Sequence, residues 1–185
     1  AMTMGGVALK QNFNKPEQTI VQQEDANNIS ESGKQFIRQY EQLRTKPYDD
    51  QTGKTITTWN RHATIGWGHL IPQTEWDTYK NGISKQEADE LFKSDLEKFI
   101  PIVRETIKVK LNQNQFDALT SLAFNIGSTN FKNSSIVKLI NGEEGSEYAD
   151  KKTAWLAWNK SNKKYSRGLQ KRREAEWKTF DSPEK

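Results

Sequence analysis

The segment from Glu41 to His69 constrains the fold of this chain more than any other. It reads EQLRTKPYDDQTGKTITTWNRHATIGWGH and begins near the end of an amphipathic helical pattern. It then passes into β-branched and aromatic residues, which favour strands. Glycines at 66 and 68 alternate with Trp67, so the backbone there can be approached closely. The segment predicts a helix that leads into a small antiparallel sheet of two or three strands.

The helix before this segment has a recognisable start and stop. Ser32 and Gln35 fit a capping box, and apolar residues then recur on one helical face at Phe36, Ile37, Tyr40 and Leu43. Pro47 is predicted to stop any continuation, because proline lacks the backbone N–H that a helix needs. Glu41 therefore falls near the end of the helix, at its junction with the sheet.

The rest of the chain reads as helices. Capping boxes at Ser84-x-x-Glu87 and Asn112-x-x-Gln115 open two of them, with Pro101 closing the first, and a last helix is predicted over residues 169–180. Residues 1–29 are rich in Gln, Asn and Glu without a clear period, which is typical of a flexible tail or linker. We therefore expect an α+β fold with two lobes over residues 30–181, a small sheet lobe and a mainly helical C-terminal lobe.

Composition excludes several classes of site. The 185 residues contain no cysteine and two histidines, so disulfides, thiolate metal sites and a histidine-built metal site are not expected. No apolar run is long enough to span a membrane, and residues 1–29 lack the apolar core of a signal peptide. The net charge of +4 would help adsorption to an acidic polymer, although solvated lysines on helix faces explain it equally well.

Two carboxylates in the opening segment suggest glycosidase chemistry. A glycosidase needs one acid to protonate the leaving oxygen and a second carboxylate that acts as base or nucleophile. Glu41 and Asp50 are candidates for these roles, while Asp49 competes with Asp50. Without further context, the position of Glu41 is better explained by an exposed residue at a helix end.

These residues resemble the active-site region of phage-type lysozymes, the T4-lysozyme-like glycoside hydrolases. That family carries Glu, eight residues, Asp, and then a Thr-Ile-Gly-x-Gly-His run, here Glu41, Asp50 and residues 64–69. The resemblance covers about residues 30–180. It implies that Glu41 is the proton donor and that Asp50 and Thr64 hold the water used by an inverting enzyme. Asp49 is then expected to face solvent or to cap the turn before Gly53.

The resemblance also assigns supporting residues. It implies a structural pair between His69 and Asp95 that joins the sheet to the next helix. It places Ser121 and Asn125, four apart on one helix face, in the sugar cleft, whereas ordinary surface polarity is the alternative explanation. In the C-terminal segment, Arg172 or Arg173 is expected to pair with Glu176 or another carboxylate.

One feature departs from the family pattern. Thirteen residues separate Asp50 from Thr64, more than the short turn usual in the family. We therefore expect an enlarged hairpin with Trp59 and His62 near its tip.

The resemblance implies a lysozyme that hydrolyses β-1,4 bonds between N-acetylmuramic acid and N-acetylglucosamine in bacterial peptidoglycan. No cofactor, metal, nucleic acid or membrane span is expected, and the protein is expected to act as a monomer. A lytic transglycosylase and a non-catalytic wall-binding module are the alternatives. The basic C-terminal segment could instead bind nucleic acid, but its interleaved glutamates weaken that interpretation. We expect the protein to move from the host cytoplasm to the cell wall through a holin or a secretion system.

Overall fold

The computed structural model describes residues 26–183 and has the predicted α+β fold. Its helices are α1 (Glu31–Arg38), α2 (Trp76–Tyr79), α3 (Lys85–Thr106), α4 (Gln113–Ile126), α5 (Ser128–Lys132), α6 (Ser135–Asn141), α7 (Lys151–Leu156) and α8 (Arg167–Phe180). A 3₁₀ turn (Gln73–Glu75) precedes α2. The strands are β1 (Arg44–Asp49), β2 (Ala63–Gly66), β3 (His69–Leu70), β4 (Lys160–Ser161) and β5 (Lys164–Tyr165).

The first three strands form the small antiparallel sheet, in the order β1-β2-β3. Tyr48 lies opposite Thr64, and Ile65 lies opposite His69. Pro47 is part of β1, where the pairing register with β2 shifts. An edge strand tolerates proline because one side of its backbone is not paired with the sheet. The sheet therefore places Thr64 on its central strand, next to the end of β1.

The N-cap of helix α1 lies two residues before the predicted one. Ser30, and not Ser32, is the N-cap, and its hydroxyl accepts a hydrogen bond from the Gly33 N–H at 3.0 Å. The Ser30 hydroxyl also donates to Asp117 of α4 at 2.5 Å. This second contact favours Ser30 over Ser32 as the N-cap, because it attaches the start of the helix to the helical lobe. Helix α1 ends at Arg38, so Glu41 lies just beyond it.

Helix α3 connects the two lobes. It begins at the predicted cap Ser84 and continues through Pro101 to Thr106, so the prediction that Pro101 ends it is wrong. Its 22 residues span about 33 Å. Leu91, near its start, packs against the apolar cluster of the sheet, whereas Val103, near its end, is buried in the helical core.

The helical lobe has its own apolar core around α4. The predicted capping box of Asn112 and Gln115 is present at the start of α4. Helix α8 is capped by Ser166 and begins at Arg167, two residues before the predicted start. Fully buried residues from several helices fill the core, among them Phe116, Leu119, Leu122, Phe131, Ile136 and Trp155.

The chain before α1 also packs on this lobe. Residues 1–25 of the predicted tail lie outside the described residues. The Ala26 N–H donates to the Leu111 carbonyl at 2.9 Å, Arg104 Nε donates to the Asn27 carbonyl at 3.0 Å, and Ile29 is buried. The packed part of the chain therefore starts before residue 30. Within residues 26–183, every helix is too short or too polar to span a lipid bilayer.

Candidate active site

A cleft of about 710 Å³ opens between the sheet and the helical lobe. The predicted residues Glu41, Asp50, Thr64 and Asn125 all line it. The remaining lining residues come from both lobes: Tyr48, Gly68, His69, Leu70, Pro72, Glu75, Asp95, Lys98, Phe99, Phe124, Ile126 and Gly127. The fold thus brings together candidate residues that are widely separated in the sequence.

Glu41 lies in the turn that follows α1. Its N–H donates to the Arg38 carbonyl at 3.0 Å, which continues the helical turn for one more step. The turn directs the carboxyl group against Gly68, where an added Cβ would lie 2.6 Å from Glu41 Oε2. Gly68 also has a φ of +82°, a conformation that favours glycine. The second glycine of the Thr64–His69 run thereby makes room for the carboxyl group.

The surroundings of Glu41 favour its protonated form. Only 18% of its side chain is exposed. Burial raises the pKa of Glu41, while the positive charge and hydrogen bond of Arg172 act in the opposite direction, and the net shift is upward. Arg172 Nη1 lies 3.2 Å from Glu41 Oε1. Glu41 can therefore hold a proton at a higher pH than an exposed glutamate, with a fixed donor on one of its oxygens.

Asp50 lies just after β1 and is more exposed than Glu41, with 39% of its side chain accessible. Its Oδ1 accepts a hydrogen bond from Gln51 Nε2 at 3.0 Å and lies 3.6 Å from His62 Nδ1. The Asp50 N–H donates to the His62 carbonyl at 3.1 Å. These contacts hold Asp50 at the base of the long connection, facing the cleft.

The neighbouring Asp49 caps the turn that follows β1. Its Oδ1 accepts from the N–H groups of Gln51 and Thr52 at 2.8 and 3.2 Å, and its Oδ2 accepts from Asn60 at 3.1 Å. Burial raises the pKa of Asp49, but these hydrogen bonds together lower it further, so the net shift is downward. Both oxygens of Asp49 thus serve the turn, whereas Asp50 lines the cleft.

Thr64 places a hydroxyl in the cleft from the centre of the sheet. The residue is almost fully buried, and its Oγ1 donates to the His62 carbonyl at 3.0 Å. Because that hydrogen bond uses the hydroxyl proton, the oxygen is left as an acceptor. Thr64 can therefore accept a hydrogen bond from a small molecule in the cleft.

The long connection between Asp50 and Thr64 folds back on the sheet. After a tight turn, Thr55 bridges to Tyr48 on the outer side of β1. Trp59 packs against the sheet and donates from Nε1 to the Ile71 carbonyl at 2.9 Å. The prediction that Trp59 and His62 lie near a hairpin tip is therefore wrong. Trp59 is drawn in by burial of its ring, and His62 pairs with Asp50 at the base.

His69 and Asp95 lie side by side at the floor of the cleft. His69 Nδ1 is 2.8 Å from Asp95 Oδ2, and both side chains are nearly buried. On its other side, His69 Nε2 lies 3.6 Å from Glu75 Oε2, and the ring meets Tyr79 edge-to-face. This contact joins β3 to α3.

The structure separates Ser121 from Asn125. Asn125 is exposed and lines the cleft. Ser121 is fully buried, and its hydroxyl donates to Glu176 Oε2 at 2.5 Å. The expectation that Ser121 faces the sugar is wrong, because α8 covers that part of α4.

Glu176 is the centre of a buried charge cluster in α8. Arg173 Nε lies 2.6 Å from Glu176 Oε1, and Arg172 Nε lies 3.3 Å from Glu176 Oε2. Trp155 Nε1 adds a hydrogen bond at 3.2 Å. Arg172 also packs over the ring of Tyr40, with its guanidinium carbon 5.1 Å from the ring centre. The cluster therefore fixes Arg172 in the orientation that reaches Glu41.

The sequence model described as phage lysozyme matches residues 38–176. The chain belongs to the phage lysozyme family. It is 36% identical to the endolysin of Bacillus phage B103 over 83% of this chain and 54% of that protein. It is 34% identical to the endolysin of Acyrthosiphon pisum secondary endosymbiont phage 1 over 83% of this chain and 98% of that protein. The chain spans about half the length of the Bacillus phage B103 and PZA endolysins.

Solved structures support the phage lysozyme fold. The endolysin from Escherichia coli O157:H7 phage FAHEc1 matches with a TM-score of 0.63 and 29% identity, over 83% of this chain and 93% of that one. A mutant of P22 lysozyme matches with a TM-score of 0.62 and 31% identity, over 84% and 99%. The muramidase domain of SpmX from Asticaccaulis excentricus matches with a TM-score of 0.64 and 27% identity, over 84% and 99%.

Sequence reasoning missed two parts of this phage lysozyme site. The Arg172–Glu41 contact was not foreseen, although pairing of Arg172 with some carboxylate was expected. The position of Gly68 against Glu41 was also missed, although close approach to the backbone there was predicted. No local pattern connects these residues, since Arg172 and Glu41 are 131 positions apart.

Proposed function

We propose that this protein is a lysozyme that hydrolyses β-1,4 bonds between N-acetylmuramic acid and N-acetylglucosamine in bacterial peptidoglycan. One observation carries the proposal. A largely buried glutamate with a raised pKa faces the same cleft as Asp50 and Thr64, which can together hold a water. Relatives named endolysin and a structural neighbour named as a muramidase domain support the assignment.

Glu41 is the general acid in this mechanism. Its proton passes to the glycosidic oxygen as the bond from that oxygen to the sugar carbon breaks, so the departing sugar leaves as an alcohol. The Glu41 carboxylate that results lies beside Arg172, 3.2 Å away, whose positive charge stabilises the new negative charge. The contact thus favours the state of Glu41 that forms as the proton leaves.

Asp50 and Thr64 supply the nucleophile. A water that donates one hydrogen bond to Asp50 and one to Thr64 Oγ1 directs an oxygen lone pair towards the sugar carbon. As the water oxygen bonds to that carbon, its proton passes to Asp50. Attack from the face opposite the leaving group inverts the configuration of the sugar carbon.

Asn125 is proposed to bind substrate from the helical side of the cleft. Its amide can donate to and accept from the hydroxyl and acetamido groups of the glycan. His69 and Asp95 act by holding the sheet on α3. On this proposal the protein works as a monomer at the bacterial cell wall, which it reaches through a holin or a secretion system.

Mass spectrometry of the fragments released from purified peptidoglycan tests the proposal. Digestion in water enriched in ¹⁸O should give reducing muramic acid ends that carry one heavy oxygen. Products with 1,6-anhydro ends and no heavy oxygen would instead indicate a lytic transglycosylase. Binding to the polymer without any released fragment would indicate a wall-binding module.

A further inference from the structure

The long connection from Asp50 to Thr64 carries a residue that contacts both ends of the proposed water site. The carbonyl of His62 accepts hydrogen bonds from the Asp50 N–H at 3.1 Å and from Thr64 Oγ1 at 3.0 Å. One backbone group therefore sets the relative position of the two residues that hold the water. The same carbonyl accepts the hydroxyl proton of Thr64 in a hydrogen bond, so that Thr64 Oγ1 is available to the water as an acceptor.

The imidazole of His62 faces the Asp50 carboxylate. His62 Nδ1 lies 3.6 Å from Asp50 Oδ1, and 31% of the His62 side chain is exposed. On the other side of the ring, Arg61 Nε donates to His62 Nε2 at 3.1 Å. Since arginine can only donate, Nε2 must be the acceptor nitrogen of the neutral ring, and the proton must lie on Nδ1. The N–H of the ring therefore points towards Asp50.

The contacts on Asp50 are confined to one oxygen. Gln51 Nε2 donates to Oδ1 at 3.0 Å, and His62 faces the same atom. Within residues 26–183, no donor contacts Oδ2. A carboxylate held at Oδ1 in this way presents Oδ2 as its proton acceptor.

The segment that carries His62 is itself fixed to the end of β1. The His62 N–H donates to Asn60 Oδ1 at 2.8 Å, and Asn60 Nδ2 donates to Asp49 Oδ2 at 3.1 Å. The capping aspartate thus anchors the residue that contacts its neighbour Asp50. Hydrogen bonds thus connect the end of β1 to the backbone of His62, and its ring lies 3.6 Å from Asp50 Oδ1.

We infer that His62 is a positioning residue, which holds the Asp50 carboxylate with Oδ2 towards the water through the Nδ1–H of its ring. This inference rests on the proposed hydrolysis. His62 does not line the cleft, so it acts on the rate of the chemical step and leaves substrate binding unchanged. The long connection is then the element that assembles the water site.

Steady-state kinetics on soluble peptidoglycan strands can test this role with three variants. His62→Leu removes the donor, His62→Asn keeps an N–H close to the position of Nδ1, and Thr57→Ala is a control in an exposed part of the same connection. We expect His62→Leu to lower kcat by about 10–100-fold with KM unchanged, since small misplacements of reacting groups have effects of this size. His62→Asn should keep most of the wild-type kcat, and Thr57→Ala all of it.

Two kinetic results would overturn the inference. The first is a wild-type kcat for folded His62→Leu. The second is an equal loss in His62→Asn and His62→Leu, which would indicate a merely structural role. Wild-type protein that releases no product would overturn the proposed hydrolysis, and this inference with it. An active wild type with an unaffected His62→Leu overturns the inference alone.

The tautomer of His62 provides a test that does not depend on activity or on the folding of a variant. The chain has two histidines, so a long-range ¹H–¹⁵N spectrum contains two imidazoles, and the His62→Asn variant assigns them. In the neutral state we expect His62 to carry its proton on Nδ1. A proton on Nε2 would direct a lone pair at Asp50 and would contradict the inference.

Discussion

Arg172 Nη1 lies 3.2 Å from Glu41 Oε1, and this contact joins the last helix to the turn after the first. Arg172 is held in place by Glu176 and by the ring of Tyr40. The contact therefore depends on the packing of α8 against the turn after α1, and it partly offsets the rise in the pKa of Glu41 that burial causes.

The first prediction concerns the pH dependence set by Arg172. Burial raises the pKa of Glu41, and Arg172 lowers it by stabilising the ionised form. Activity that requires protonated Glu41 is lost as pH rises through this pKa. Replacing Arg172 with Gln removes the opposing charge, so the alkaline limb of kcat/KM should move to higher pH. Arg172→Lys keeps the charge and should keep the limb near its wild-type position. A limb that moves to lower pH in Arg172→Gln would contradict this account.

The second prediction separates the adjacent aspartates. Asp50→Asn should lower kcat by about 10²–10⁴-fold, the usual effect of losing a general base. Asp49→Asn should have a smaller effect, because its amide oxygen can still accept from the N–H groups of Gln51 and Thr52 and only the hydrogen bond from Asn60 is lost. The two variants form a matched pair with the same chemical change at neighbouring positions. Turnover on soluble glycan strands should therefore rank Asp49→Asn well above Asp50→Asn, and the reverse order would assign the base to Asp49.

The residue pattern predicted the sheet lobe, and the resemblance to phage-type lysozymes supplied the candidate residues that line the cleft. The Thr64–His69 run and the spacing of Glu41 and Asp50 are short-range patterns, and the residues concerned meet in one cleft. The cap at Ser84 was also read correctly, because a capping residue acts within one turn. Features of this kind depend on neighbours in the chain.

The parts that sequence reasoning missed depend on contacts between distant segments. The sequence pattern predicted Ser32 as the N-cap of α1, whereas the structure has Ser30, which also contacts Asp117 of α4. Ser121 is four residues from Asn125, yet α8 buries it against Glu176. Pro101 did not end α3, because the helix continues to place Val103 in the helical core. In each case tertiary packing decided between alternatives that local pattern left open.

The third prediction concerns the pair formed by His69 and Asp95. Both side chains are nearly buried at a separation of 2.8 Å, so Asp95→Asn should lower the free energy of unfolding by about 1–3 kcal/mol. Asp77→Asn is the control, because the Asp77 side chain is 89% exposed and pairs with the nearby Lys80 at the surface. Urea unfolding of Asp95→Asn, of His69→Gln and of the variant that carries both changes gives a double-mutant cycle. A coupling energy of zero between positions 69 and 95 would exclude a stabilising pair.

The fourth prediction is stereochemical. Water held by Asp50 and Thr64 attacks from the face opposite the leaving group, which inverts the sugar carbon in a single step. Proton NMR of a fresh digest of a short β-linked glycan should therefore show the α-anomer first, before mutarotation. If the β-anomer appears first, Asp50 acts as the nucleophile through a covalent intermediate and Thr64 does not hold the attacking water.

The fifth prediction concerns Glu41 as the proton donor. The most direct test of this role is to measure how fast the Glu41→Gln variant releases reducing ends from purified peptidoglycan. Glu75→Gln is the matched control, because Glu75 lines the same cleft but is 39% exposed. With folding verified by circular dichroism, Glu41→Gln should lose about 10²–10⁴-fold in turnover, whereas Glu75→Gln should stay close to wild type. Folded Glu41→Gln that turns over at the wild-type rate would contradict the account.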